Sequence, residues 1–451
     1  MPDEPVEKLD SFDAEERCRA LEELAVREDA EEAPEPRPEV NLHCHTFFSY
    51  NAYGYSPSRF AWEAHRYGLA VAGIVDFDVL DGVREFLAAG RLLKLKAAAG
   101  FESRVFVPEY SDVEINSPRE PGIYYLVGTG FTGLPELGTR AAETLEAMAR
   151  CAQGRNRKMI GRVNEHLDPV TIDYEDDVLP LTPAGNATER HLLVAYEQRA
   201  RELFPDEEER AEFWAAKLEE PEENVRGLLD DVVSLKKLIR ARLMKYGGVG
   251  YAPPEEGSFP VLDDVVQMTL DCGAVPSAAW LDGTSEGEVD PVRHFKFMLD
   301  KGIPTITIIP DRNWNLDDAR ERQLKVENLH AALEAAAELE MPVLVGTEMN
   351  KHGQKFVDTF DAPAMEPYRQ QFLDGAHVAW GHTLLKTTAG VGMTGEWAEK
   401  HFGDDRAARN RFFRRLGAAT YPEGRTLEEL SVRGADLTPE HALGLVAEED
   451  V

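Results

Sequence analysis

Residues 41–47 read NLHCHTF, an apolar and histidine-containing stretch that predicts a buried strand. Successive side chains of a strand leave opposite faces, so His43 and His45 share one face while Cys44 points to the other. Two imidazoles on one face of a strand form a common ligand pair for zinc, iron or manganese. The alternative is a pair of structural histidines whose rings are capped by hydrogen bonds to the backbone.

The sequence around this stretch alternates between short apolar strands and amphipathic helices. Alternation of this kind predicts parallel βα units. A turn-rich SPREPG at 117–122 predicts a hairpin before the strand that follows. The remaining elements of the pattern are predicted helices at 57–67, 82–95, 291–301 and 318–339, and apolar pieces LAVAGIVDF (69–77), KAAAGFESRVFV (96–107), GIPTITIIP (302–310), MPVLVGTEMN (341–350) and HVAWGHTLL (377–385).

Composition changes along the chain predict four regions. Residues 1–40 are an acidic N-terminal lead-in, whose run REDAEEAPEPRPE has too many charges and prolines to order itself. Residues 41–132 and 249–395 form a metal-binding barrel. Strand signals nearly vanish over 133–248, which predicts a helical insertion, and 396–451 is a charged helical C-terminal segment.

The overall charge excludes some classes of partner. The chain of 451 residues has a formal net charge of −34, from 83 acidic and 49 basic residues, which disfavours a stable nucleic acid complex or an anionic membrane surface. No apolar run approaches the roughly 20 residues of a membrane span, and the acidic N-terminus lacks a secretion signal. We therefore expect a cytoplasmic protein. Four cysteines without a CxxC pair indicate neither a disulfide framework nor a thiolate zinc site.

Acidic side chains follow the second predicted strand. Asp76 and Asp78 come at the end of GIVDFD, where strand-end carboxylates face the mouth of a barrel. Asp81 is better placed to cap the helix that opens at Gly82. Asp76 is therefore the ligand candidate of this strand.

The third strand contains a carboxylate in an apolar setting. Glu102 lies within AAAGFESRV, where a buried carboxylate would be costly without a cation. Glu109 and Glu114, a little further along, compete with it for the role of ligand.

Three segments together resemble the PHP (polymerase and histidinol phosphatase) superfamily: the HxH strand, the strand end VDFD (75–78) and GFE (100–102). The resemblance extends over about residues 41–390 and is to PHP phosphoesterases with a helical insertion. It implies an α/β fold, a distorted (β/α)7 TIM-like barrel with its site at the C-terminal strand ends, and it favours Glu102 over Glu114. NATERHLLVAY (186–196) is similar to a family segment with a metal-binding histidine, here His191.

The sequence also departs from the family pattern. Phe77, Trp280 and Asn350 stand where the family has histidines, and Glu348 stands at its closing acid. A Phe or Trp side chain cannot bind a hard cation, so the resemblance implies one or two divalent ions per chain rather than a larger cluster. His352 and His382, the latter placed near a strand end, are alternative donors. The implied metal ligands are His43, His45, Asp76, Glu102, His191 and Glu348.

These residues predict a metal-dependent hydrolase, in which manganese, zinc or iron activates a water molecule. The expected reaction is phosphoester hydrolysis of a small phosphorylated substrate, with Asp76 and His191 as further ligands or as proton carriers. Arg312 would bind phosphate through its guanidinium fork, or else form a structural ion pair with Asp311 or a helix acid. The alternatives are an amidohydrolase-like hydrolase and a non-catalytic, degenerate PHP protein.

Overall fold

A single sheet organises the described part of the chain. The computed structural model describes residues 4–28, 35–423 and 425–449. Part of the predicted charged run, residues 29–34, lies outside them. The sheet comprises β1 (Val40–Cys44), β2 (Val71–Phe77), β3 (Ala97–Phe106), β4 (Ile123–Thr129), β5 (Val275–Trp280), β6 (Thr305–Ile308) and β7 (Val343–Val345).

The strands follow one another in chain order, β1 to β7, and the sheet nearly closes on itself. Its two ends meet where Cys44 and Glu348 form a parallel bridge. The Glu348 N–H donates to the His43 carbonyl at 2.7 Å, and the His45 N–H donates to the Glu348 carbonyl at 2.8 Å. The result is a barrel-like α/β architecture, as expected from the alternating pattern.

The fourth strand departs from the expected parallel units. β4 runs antiparallel to both β3 and β5, whereas the other neighbouring pairs are parallel. The predicted hairpin is confirmed, because β3 and β4 are consecutive strands that pair antiparallel from Phe106 and Ile123, where residues 107–122 connect them. β3 and β4 approach closely at Gly100, where an added Cβ would lie 1.7 Å from the Gly128 carbonyl oxygen. The predicted parallel units and the predicted hairpin therefore both occur in this sheet, with β4 as its antiparallel strand.

Helices surround the sheet and fill the connections. Four precede or accompany the first strands: α1 (Glu4–Lys8), α2 (Ala14–Glu28), α3 (Pro57–Tyr67) and α4 (Val83–Leu92). Six lie between β4 and β5: α5 (Arg140–Leu167), α6 (Glu189–Leu203), α7 (Glu207–Leu218), α8 (Glu222–Leu228), α9 (Val232–Ile239) and α10 (Leu262–Asp271). Eight follow β5: α11 (Pro291–Asp300), α12 (Asp311–Trp314), α13 (Ala319–Glu338), α14 (Arg369–Ala389), α15 (Glu396–Phe402), α16 (Arg406–Ala419), α17 (Arg425–Arg433) and α18 (Pro439–Glu449).

Short turns of other helix types complete the chain. They are 3₁₀ turns at Pro108–Tyr110, Leu179–Leu181, Glu366–Tyr368 and Gly434–Asp436, and π turns at Tyr174–Val178 and Arg240–Met244. Helix α4 begins after Gly82 with no side-chain cap, so the predicted capping role of Asp81 is wrong. The Leu80 carbonyl instead accepts from the Val83 N–H at 3.2 Å as the chain turns into the helix.

Two large hydrophobic cores, and a small cluster of Phe47, Phe48 and Val79, occur in the described residues. The larger one lies between the sheet and its surrounding helices and includes Phe60, Phe101 and Phe372. The smaller one belongs to the helices between β4 and β5 and includes Tyr196 and Trp214. Helices α5 to α9 and the Arg240–Met244 turn, called the helical segment below, thus have a core of their own. In the described residues no helix is both long and apolar enough to cross a membrane.

The apolar piece HVAWGHTLL belongs to a helix rather than to a further strand of the barrel. It forms the middle of α14, which packs against β7 and α16. Glycines allow the close approach, because a Cβ at Gly375 would lie 2.0 Å from the Val343 carbonyl oxygen. A helix buried on all sides shows no amphipathic period, so its sequence cannot be told from that of a buried strand.

Candidate metal centre

Three buried side chains converge at the end of β1 and beside it on β3. His43 lies on β1, His45 follows that strand directly, and Glu102 lies on β3. The Glu102 Oε2 atom is 3.4 Å from His43 Nε2 and 3.1 Å from His45 Nε2. Their potential ligand atoms all lie within 4.8 Å of one another, and this is the one such group among the described residues. We call these three residues the triad.

The backbone around β1 fixes the two histidines. β1 lies between β2 and the end of β7, so His43 is held on both sides. Gly346 has to be a glycine here, because a Cβ would lie 2.4 Å from the His43 nitrogen. Next along the chain, Glu348 and Met349 have φ values of 63° and 56°, in the left-handed region that is costly for residues with side chains. The seam between β1 and β7 therefore contains local strain directly beside the triad.

The triad fits a divalent cation. Both ring nitrogens of His43, Nε2 of His45 and Oε2 of Glu102 are buried without a hydrogen-bond partner. Buried polar atoms are rarely left unsatisfied, because each costs about 1–3 kcal/mol. Two imidazoles and a carboxylate form a mixed nitrogen and oxygen donor set that suits zinc, iron or manganese. A metal ion would satisfy these atoms together.

Protons and a cation compete for the same atoms of the triad. Burial raises the pKa of Glu102, but His43 and His45 beside it lower the pKa more, and the net shift is downward. Burial lowers the pKa of His45, whereas Glu102 raises it, and the net shift is upward. A metal-free triad thus favours a protonated imidazole next to an ionised carboxylate. A cation that binds here displaces that proton.

An aromatic ring and a hydroxyl orient His45. Phe77, which stands where the PHP pattern has a histidine, stacks on the His45 ring with centroids 4.5 Å apart. The Ser49 hydroxyl lies 3.4 Å from Nδ1 of His45. Trp280, another departure from the pattern, is buried and lines the cavity in front of the triad. Neither replacement offers a lone pair to a metal ion.

Asp76 is buried near the triad but outside the group of converging donors. Its Oδ1 accepts from the Thr46 N–H and the Ser49 hydroxyl, each at 2.7 Å, and its Oδ2 accepts from the Thr46 hydroxyl at 2.7 Å. Burial raises the pKa of Asp76, while the hydrogen bonds from Ser49 and Thr46 lower it, and the net shift is upward. The observed contacts of Asp76 therefore hold the loop that follows His45.

His191 lies in the first turn of α6 and is likewise outside the triad. Its Nδ1 accepts from the Thr188 N–H at 3.0 Å and forms part of a capping box. Burial lowers the pKa of His191 to about 4, so the ring is neutral near pH 7. A neutral ring whose Nδ1 accepts has its proton on Nε2. As it stands, His191 stabilises a helix start and has no free lone pair.

Glu348 faces the triad but is held by other residues. Its Oε1 accepts from Arg312 Nη2 at 2.5 Å, and its Oε2 accepts from Gln354 at 2.8 Å. Burial raises the pKa of Glu348, Arg312 lowers it, and the net shift is downward. Arg312 thus pairs with Glu348, whereas Asp311, its predicted ion-pair partner, lies 3.8 Å from Lys355. Glu348 could approach a cation in the triad if Arg312 released it.

The remaining sequence candidates lie elsewhere. Glu109 pairs with Lys301, and Glu114 accepts from the Arg119 N–H. His352 is exposed and contacts Tyr53. His382 is buried in α14, with Nδ1 accepting from the Met393 N–H at 3.0 Å, so its predicted place near a strand end is wrong. None of these four residues belongs to the triad.

A cavity of about 270 Å³ lies in front of the triad and is rich in cations. Its lining includes His43, Glu102 and Glu348 from the barrel, and it adjoins a wider cleft of about 830 Å³ that shares several of its residues. Against four acidic residues, the cavity has six cationic ones. These are Arg104, Arg155, Arg190, Arg240, Lys245 and Arg312.

Sequence reasoning missed five of these six cations. They come from β3, α5, α6 and the turn after α9, so no local run of basic residues in the sequence predicts this group. The chain has a large negative net charge, yet its fold concentrates positive charge at this cavity and at the adjoining cleft. Only Arg312, which follows a barrel strand, could be singled out beforehand.

Comparisons with known proteins give distant similarities. No family model and no curated protein matches the sequence. Among solved structures, an amidohydrolase from Chromobacterium violaceum with bound sulfate and no metal is similar at a TM-score of 0.47 and 14% identity, covering 75% of this chain and 96% of that one. A metal-dependent phosphoesterase, described as putative, from Bifidobacterium adolescentis is similar at a TM-score of 0.45 and 17% identity, covering 75% and 98%. The chemistry of the centre therefore rests on its own residues.

Proposed function

We propose that this protein is a metal-dependent hydrolase, and specifically a phosphoesterase that acts on a small phosphorylated molecule. One observation carries the proposal: three buried donors have no hydrogen-bond partners, and two of them, His43 and Glu102, line a cavity that also has six cationic side chains. Metal donors and anion-binding groups thus occur together in one enclosed space. We further propose a PHP-type barrel, in agreement with the HxH strand and the nearly closed sheet.

The triad would hold one divalent ion through His43, His45 and Glu102. When bound, such an ion supplies Lewis acidity, which polarises a phosphoryl group and lowers the pKa of water. Phe77 and Ser49 keep the His45 ring in place, as their contacts with it indicate. Arg312, anchored by Glu348, would donate from its remaining N–H groups to phosphate oxygens.

The roles of Asp76 and His191 follow from their contacts. We assign Asp76 to positioning, because three hydrogen bonds tie it to the loop after His45. His191 is assigned to positioning as well, because its ring caps the helix that carries Glu189 and Arg190 to the cavity. Proton transfer by either residue is not needed to explain where it lies.

The charge of the cavity favours phosphoester hydrolysis over amide hydrolysis. A phosphate monoester is anionic near pH 7, whereas the scissile group of an amide is neutral. Five of the six cations have a carboxylate within ion-pair distance, and Arg190 is the exception, yet positive charge still exceeds negative charge in the lining. An excess of this sign favours an anionic substrate.

The first experiment measures metal content by plasma mass spectrometry on protein purified without a histidine tag. We expect about one ion per chain in the wild type, as three converging donors imply, and none in the His43→Ala, His45→Ala double variant. His352→Ala is the matched control, since His352 is exposed and outside the triad. Metal-loaded wild type should also hydrolyse a generic aryl phosphate. A wild type that stays metal-free after reconstitution would favour the non-catalytic alternative.

A further inference from the structure

Four charged residues of the helical segment meet at the cavity with an excess of positive charge. Glu189 and Arg190 lie at the start of α6, and Arg240 and Lys245 lie after α9. Glu189 pairs with Arg240 and also lies 3.3 Å from Lys245. One carboxylate therefore serves two cations, and Arg190 is the third. We call these four residues the helical cation cluster.

Arg190 has no counterpart of its own. Within residues 4–28, 35–423 and 425–449, no ion pair or side-chain hydrogen bond of Arg190 is found, although the residue is partly buried and lines the cavity. Burial lowers the pKa of Arg190 to about 10, and the nearby charge of Arg240 contributes to the shift. A guanidinium has five N–H donors, and a pair of them matches the spacing of two oxygens of a carboxylate or a phosphate. Arg190 can therefore bind an anion that enters the cavity.

The cluster lines the same cavity as His43 and Glu102 of the triad, but from a different part of the fold. The triad and Arg312 belong to the barrel, whereas the cluster belongs to the helical segment. A space of about 270 Å³ is of the size that a small metabolite fills. One molecule can therefore contact both walls, and each wall has its own group for an anion.

We propose that the helical cation cluster is a second anion subsite, and that the substrate has a second anionic group, a phosphate or a carboxylate, away from its scissile bond. The word substrate rests on the proposed function, but the subsite itself does not. Arg190 determines the specificity for this second anionic group, because it is the cation of the cluster that has no carboxylate partner. Arg240 and Lys245 support it by offsetting the charge of Glu189.

The test is calorimetric titration of inorganic phosphate into full-length protein freed of metal with a chelator. We expect Arg190→Gln to weaken phosphate binding by about tenfold or more, since about 1.4 kcal/mol corresponds to a factor of ten. Arg199→Gln is the matched control, because Arg199 lies on the same helix and pairs with Glu202 at the surface. Arg190→Lys keeps the charge but lacks the paired N–H groups, so its affinity for phosphate should lie between those of wild type and Arg190→Gln.

Two further arms separate the possible outcomes. The comparison is repeated with Arg312→Ala as the parent, which removes phosphate binding by Arg312, and the effect of Arg190→Gln should persist there. Thermal unfolding of each variant shows whether it folds as the wild type does. Equal phosphate affinity of wild type and Arg190→Gln, or no measurable phosphate binding by the wild type, would overturn the subsite and leave the metal result untouched. A metal-free wild type would overturn the proposed function and leave the phosphate result untouched.

Discussion

The two walls of the cavity are built from different parts of the chain and have opposite chemistry. The barrel wall presents His43 and Glu102, which together with the fully buried His45 are potential metal donors without hydrogen-bond partners. The helical wall presents Arg190, Arg240 and Lys245, which are cations with too few carboxylates. The barrel wall thus offers donors for a cation, whereas the helical wall offers positive charge for an anion. The difference indicates that one ligand pair, a metal ion and an anion, completes the site.

The largest expected effect removes the carboxylate from the barrel wall. Glu102→Gln should weaken metal binding by about a thousandfold, because a structural metal site stabilises by roughly 3–4 kcal/mol per ligand. Competition with a fluorescent chelator measures the affinity. Glu109→Gln is the control, since Glu109 is a carboxylate at the surface that pairs with Lys301. Unchanged metal affinity in Glu102→Gln would show that the barrel wall does not bind a metal ion through Glu102.

Asp76 distinguishes a positioning residue from a ligand. Asp76→Ala leaves three donors of Thr46 and Ser49 without their acceptor, so we expect the free energy of unfolding to fall by about 3 kcal/mol. Urea unfolding of chelator-treated protein measures it without a contribution from metal. A variant of normal stability that has lost its metal would instead make Asp76 a ligand.

Acid should destabilise the barrel through a histidine far from either wall. Burial lowers the pKa of His382 to about 3, below the value of about 6.5 of an unfolded chain. Because only the unfolded state binds this proton between those values, stability is lost as the pH falls below about 6.5. The expected loss from this group between pH 7 and pH 5 is about 2 kcal/mol.

His382→Asn tests this effect, since the Asn oxygen can accept from the Met393 N–H as Nδ1 does. Urea unfolding at both pH values should show a shallower pH dependence in this variant than in wild type. His441→Asn, at an exposed position of α18, should keep the wild-type dependence. Identical slopes for His382→Asn and wild type would contradict the assignment.

The smallest effect couples the two walls through Arg312. Removing a positive charge beside the triad and releasing Glu348 should tighten metal binding in Arg312→Ala by about tenfold, as expected for charges several ångströms apart at an effective dielectric constant of about 20. The same variant should bind inorganic phosphate more weakly in the metal-loaded form. Weaker metal binding would mean that Arg312 holds Glu348 in the position that favours the ion.

The sequence predicted the barrel wall because its signals are local. The spacing of His43 and His45 places both rings on one face, and an apolar strand around Glu102 marks an unusual carboxylate. The helical wall could not be predicted in this way, since Arg190 comes from α6 whereas Arg240 and Lys245 follow α9. Their proximity depends on how helices pack, which no local pattern encodes.

Helix α14 and the Arg312–Glu348 ion pair could not be predicted from local sequence patterns either, for two different reasons. Helix α14 is buried on all sides, so its sequence lacked the period that separates helix from strand. The pairing of Arg312 with Glu348 joins the end of β6 to the end of β7, and its partner could not be chosen among several nearby acids. Hairpin β3–β4, in contrast, was predicted from its turn residues alone.

The seam between β1 and β7 has a consequence for how the protein is made. Asn41 Nδ2 donates to the Thr347 hydroxyl at 2.9 Å. The backbone groups of His43 and His45 form hydrogen bonds with the backbone of Glu348. Contacts between residues so distant in sequence form late, after the entropy of closing a long loop has been overcome. During synthesis, all three triad residues are made long before β7, whose end forms hydrogen bonds with the backbone of His43 and His45. Metal capture is thus expected to follow completion of the barrel rather than to guide it.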